Sequence, residues 1–150
     1  MERIAVFVND ADYARQMLMP MIDAPLPTHW LLAACPPSLT RHAGRWLSHG
    51  ARQAWALRWS ADLFAQLAPL LREPPGSRVE TMLVGRSVQG LAERLLRQHG
   101  PIRLLDARRP RLGHIDEPLP GADAAPSPAQ RWTAPLTAMA GVSSLLVLAD

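Results

Sequence analysis

Arg108, Arg109 and Arg111 stand within four positions of one another, directly after the run "IRLLD" (residues 102–106). A guanidinium is a planar fork of donors that grips phosphate or carboxylate oxygens two at a time, so the cluster is a candidate anion clamp. Asp106, Asp116 and Glu117 are close by in sequence, and the same arginines also read as solvated loop residues paired with those acids. A second polar pair, Asn9 and Asp10, ends the apolar run "IAVFV" (residues 4–8). Other chemistry is poorly supported. His42 and His49 are two helical turns apart, and His29 and Cys35 alternate onto one strand face, but neither pair has a third ligand at metal spacing. No G-x-S-x-G or other placed nucleophile accompanies the Ser, His and Asp residues, so no catalytic set is expected and the chain does not read as an enzyme.

These residues need a scaffold, and the 150-residue length suits one domain spanning 1–150. A hydrophobic content of 48% argues against global disorder. All sixteen basic residues are arginine, as high-GC coding favours, and the net charge is only +3. They are spread along the chain, so nucleic acid is not the expected partner. The single Cys35 excludes an internal disulfide and a multi-cysteine zinc site, and its apolar neighbours suggest a buried thiol. No apolar stretch approaches the roughly 18 residues needed to span a bilayer. "MERIAVFVND" is too short for a signal peptide, and a cytoplasmic protein that makes no membrane contact is expected.

Along the chain, strand and helix patterns alternate. "IAVFV" reads as a strand buried on both faces, with Asn9 or Asp10 capping a helix whose apolar face is Ala14, Met17, Leu18 and Met21. Pro20 is expected to kink or end that helix. "HWLLAAC" (residues 29–35) is a second strand. A long helical region follows, with a break expected between Gly44 and Gly50. Its stripe reads Leu47, Ala54, Leu57, Ala61, Phe64, Ala68 and Leu71, and Pro69 with "EPPG" should end it. "RVETMLVG" alternates like a half-exposed edge strand. Ser87 then caps a helix with the stripe Val88, Leu91, Ala92, Leu95 and Leu96, stopped at Gly100 and Pro101. "IRLLD" is the fourth strand. Residues 107–130 hold no apolar periodicity and read as a long Pro-rich loop. A short helix near "AQRWTAPLTAMAG" leads to a fifth strand, "SLLVLAD" (residues 144–150). The expected fold is α/β: a three-layer, open, mainly parallel five-stranded sheet of Rossmann-like type with right-handed crossovers.

In order and spacing the chain resembles the universal stress protein family. That family opens with a strand ending V-D-x-S-x-x-A, where this chain has "VNDADYA", with Asn9 at the aspartate and Ala11 at the serine. Its third strand ends in a glycine before a helix, matched by "VETMLVGRSVQGLAERLLRQHG" through Gly85. The resemblance spans nearly the whole chain. It implies the strand order 3-2-1-4-5 and a non-catalytic stress-response or regulatory module. It also implies a nucleotide crevice between strands one and four, contacted here by Asn9, Asp10, Gly85, Asp106, Arg108 and Arg109. The ATP-binding members place G-x-x-G, about nine residues and G-[ST] after the fourth strand, so that backbone N–H groups meet the phosphates. Here that place reads "DARRPRLGHIDEPLPGADAAPSPAQ", with Asp106 and Ala107 where the first glycine would be and no G-x-x-G. ATP or AMP binding is therefore expected to be weak or lost, leaving no resident cofactor. A homodimer is expected through the terminal strand, whose Leu145–Leu148 run is an unprotected apolar edge. Trp55 and Trp59, one turn apart beside Arg52 and Arg58, form either a packed helix face or a patch for a protein partner. A module of the same fold that binds only protein, with no nucleotide, is the alternative function.

Overall fold

The computed structural model describes residues 1–23, 26–38, 41–113, 116–121 and 123–124. Within them the order is β1 (Glu2–Val8), α1 (Ala11–Ile22), β2 (Thr28–Ala34), α2 (Arg41–Trp46), α3 (His49–Arg72), β3 (Arg78–Leu83), α4 (Val88–His99) and β4 (Arg103–Ala107). The four strands pair in parallel in the order β3-β2-β1-β4. A two-residue segment, Asp123–Ala124, pairs in parallel beside Leu105 and Asp106 of β4. This segment falls inside the stretch read from sequence as continuous loop. The expected short helix near residue 130 and the fifth strand at 144–150 lie outside the described residues.

The apolar run of β1 is central because it is buried on both faces, and its alternation splits the core. Ile4, Val6 and Val8 join Ala14 and Leu18 of α1 and Leu63, Leu67 and Leu71 of α3 on one side. Ala5 and Phe7 join Leu91, Ala92 and Leu95 of α4 on the other. Burying each large side chain contributes about 1.5–3 kcal/mol, so this double coverage is what seats β1 in the middle. β3 is the edge: only Val79, Met82 and Leu83 are partly buried, as its half-polar sequence suggests. One detail of the core is unsatisfied. The indole N–H of Trp30, buried in β2, has no hydrogen-bond acceptor among the described residues.

The helix ends fall close to where they were expected: α3 stops at Arg72, with Glu73 of "EPPG" as its C-cap, and α1 runs two residues past Pro20 to Ile22. Pro20 and Pro69 each sit in the last turn, and the carbonyls they leave unbonded belong to Gln16 and Ala65, exposed residues that water can reach. The break between Gly44 and Gly50 is present at Leu47–Ser48, with Ser48 capping α3. The buried stripe of α3 matches the expected one at Phe64, Ala68 and Leu71 and departs from it earlier in the helix. Ser60, Leu63, Leu67, Ala68 and Leu71 face the sheet, while Ala54, Leu57 and Ala61 face solvent. Trp59 and Phe64 choose that face by bulk, and Ser60 is cheap to bury because its hydroxyl donates to the Leu57 carbonyl at 2.9 Å.

Candidate crevice at the sheet's switch point

β1 and β4 are neighbours, and the chain leaves them in opposite directions across the sheet, so their carboxyl ends flank a crevice of the kind that takes ligands in open α/β sheets. Burial forces both strands to stop where the sequence turns polar, at Asn9 and at Arg108. Asn9 bridges them. Its side chain accepts from the Arg109 amide at 2.6 Å and donates to the Arg109 carbonyl at 3.2 Å. Asp10 caps α1 by accepting from the Tyr13 amide at 2.9 Å, and its other oxygen lies 3.5 Å from the Arg109 guanidinium.

Arg108 is the decisive residue. Its side chain is 6% exposed and turned inward. It forks onto Asp106, with Nε donating to Oδ1 at 2.9 Å and Nη2 to Oδ2 at 2.8 Å, and the Arg108 amide also donates to Oδ1 at 3.1 Å. Nη2 also donates to the Glu117 carbonyl at 2.7 Å. The bond to Asp106 raises the already high guanidinium pKa further. A bidentate clamp that a phosphate would need is thus filled by the chain's own carboxylate.

Glu117 closes the other side. Its carboxylate accepts from the Ser87 hydroxyl at 2.7 Å, the Val88 amide at 3.1 Å and the Gln89 amide at 3.3 Å. These are donors at the first turn of α4, which no intrahelical carbonyl can satisfy. The Ser87 bond foremost, with the two amides and nearby Arg108, holds the Glu117 carboxyl below its usual range. What remains open between β1, β2 and residues 116–117 is a hollow of about 190 Å³, bordered by Asn9, Cys35, Val88, Arg108, Arg111 and Glu117. Burial pushes the Cys35 thiol up to about 12 despite the neighbouring Arg108, so it is a protonated thiol and a poor nucleophile. A second hollow of about 240 Å³ lies over Asn9, Asp10, Arg109, Pro110 and Arg111.

Five of the six residues expected at the crevice meet there: Asn9, Asp10, Asp106, Arg108 and Arg109. Gly85 does not share their hollows; it lies beside a separate groove along α4. Of the two readings of the arginines, pairing with acids holds for Arg108. Asp106 supplies its carboxylate, whereas Glu117 receives it through the backbone. Sequence reasoning named Glu117 only as a partner for arginine and missed its seat on α4. The available signal was an acid in a Pro-rich segment opposite the Ser87 cap. Among the described residues no three His, Cys, Asp or Glu side chains gather as a metal site. His49 is exposed, and the side chain of His42 lies outside the described residues. No described helix is long and apolar enough to cross a membrane. The chain matches no protein-family model, and no curated protein matches it.

Proposed function

We propose that this chain is a non-catalytic regulatory module of universal-stress type whose adenine-nucleotide crevice is closed by its own side chains. The observation that supports this reading is the Asp106–Arg108–Glu117 chain of contacts, in which the inward guanidinium that could hold a phosphate is already engaged. The parallel β3-β2-β1-β4 order and the Asn9 bridge are consistent with descent from a crevice that once opened there. Proline in the following segment further removes backbone donors. Action through a homodimer paired along the terminal strand belongs to the same proposal; a monomeric mass by light scattering at tens of micromolar would contradict that part.

The decisive experiment is thermal melting with ATP and, separately, with tripolyphosphate, which carries the same phosphate chain without adenosine. A ligand at a hundred times its dissociation constant stabilises by about 2.7 kcal/mol, an easily seen shift. ATP should stabilise no more than tripolyphosphate. A clear excess for ATP, abolished by Asn9→Ala, would overturn the reading.

The interaction-module alternative is favoured by one feature. Trp46 is 88% exposed at the end of α2, and Trp55 stacks on Trp59 at 6.4 Å between ring centroids. Trp59 itself packs on the core, and Arg52 ties α2 to α3 through the Gly44 and Leu47 carbonyls. A partner surface would thus centre on Trp46 rather than on the Trp55–Trp59 pair.

A further inference from the structure

The groove beside Gly85 has about 440 Å³ of space, with Leu83 and Leu91 among its apolar lining and Arg86, Arg94 and Arg97 among its polar lining. We propose that it binds a small molecule carrying two or more linked phosphates. The inference is independent of the closed crevice.

Its first support is the state of the arginines. All three are exposed, and among the described residues none donates to a carboxylate or carbonyl. No acid is among the residues that line the groove, and two acids on or against α4 are already engaged: Glu117 by Ser87 and the α4 amides, and Glu93 by Gln89 at 3.4 Å. Arg94 and Arg97 follow Gly90 at the four- and seven-residue spacing that shares one helix face, and Arg86 approaches from the loop before the helix. Forks from two elements therefore border one concavity, which suits linked phosphates better than a single charge.

Gly90 is the second support. A Cβ there would meet only the Ser87 Cβ and Oγ at 3.5 Å, an ordinary contact, so packing does not demand glycine. Glycine inside a helix is unfavourable compared with alanine, yet its missing side chain keeps this part of the groove open. The size falls in the range of small-molecule sites, which disfavours an extended polymer. Because Glu117 already occupies the amides of the first turn, recognition rests on the guanidinium groups and not on the helix end.

Titration calorimetry with tripolyphosphate tests this on the full chain. Wild type should bind one equivalent saturably. Arg94→Ala with Arg97→Ala should weaken binding at least about tenfold, since charge-assisted bidentate bonds are lost. Arg15→Ala with Arg58→Ala, the same charge change at exposed sites elsewhere, should alter it less than about twofold. Gly90→Ala should melt no lower than wild type and bind about threefold or more weakly. Absence of saturable binding, equal loss in both double variants, or wild-type affinity in Gly90→Ala would each overturn the proposal. So would a hexathymidylate strand binding tenfold more tightly than tripolyphosphate, because it would assign the groove to nucleic acid.

Discussion

Arg108 at the end of β4 and Arg94 on α4 carry the same charge and have opposite fates. Arg108 is buried, bonded to both oxygens of Asp106 and to the Glu117 carbonyl. Arg94 borders an open groove and, among the described residues, makes no such bond. Arg108 is thus the less available anion ligand of the two, although it lies in the arginine-dense segment, and Arg94 on the sparser helix face is the more available one. Charge density along a sequence counts donors. Affinity for an anion depends on how many of them are still unengaged after folding, because a paired guanidinium must lose one partner to gain another.

The largest expected effect comes from breaking the internal pair. Asp106→Ala leaves a guanidinium buried without its carboxylate and should cost about 2–3 kcal/mol of stability, measured by urea unfolding. Arg94→Ala should fall within about 0.5 kcal/mol of wild type in the same assay, as for other surface changes. Equal costs at the two sites would erase the contrast. A smaller effect is expected at Asn9. Asn9→Ala removes two hydrogen bonds to the Arg109 backbone and should cost about 1 kcal/mol, with little loss elsewhere in the sheet.

Glu117 sharpens the comparison through pH. Its carboxyl is held below the ordinary value in the folded chain, so its contribution is present above the unfolded pKa and is lost as pH falls through the lower folded value. Glu117→Gln should therefore lower the melting temperature at neutral pH. The gap from wild type should close in acid, below the normal carboxylate range. A gap that persists undiminished there would show that the carboxylate charge is not what fastens residue 117 to α4.

Much of the scaffold was legible because its signals were strong. "IAVFV" is apolar without interruption, which only a doubly covered strand requires, and Ser87 with Gly100 brackets α4 by cap chemistry. The stripe of α3 was read correctly at Phe64, Ala68 and Leu71 and misread at Ala54, Leu57 and Ala61, because Ala and Leu occur all around that helix and the face in its middle is chosen by Trp59 and a serine that satisfies itself. The prolines marked the helix ends to within a turn, since in the last turn the carbonyl each one frees can reach water. At the crevice, strand-end residues were placed correctly by topology. Pairing of the arginines with Asp106 was one of two readings the sequence left open, and the fold decides it for Arg108, whose partners are only two and nine residues away. The seat of Glu117 was not legible, since it depends on contacts with residues 28–30 positions earlier in the chain.

If the chain's own side chains shut the crevice, as we propose, Cys35, the chain's single cysteine, reports on it from within. The measurement is the rate of iodoacetamide alkylation at pH 8, in the native chain and in urea. With its pKa near 12, native Cys35 should react at least about a hundredfold more slowly than the unfolded thiol. Glu117→Ala should raise the native rate while leaving the unfolded rate unchanged. A native wild-type rate equal to the unfolded one, or a native rate indifferent to Glu117→Ala, would contradict closure.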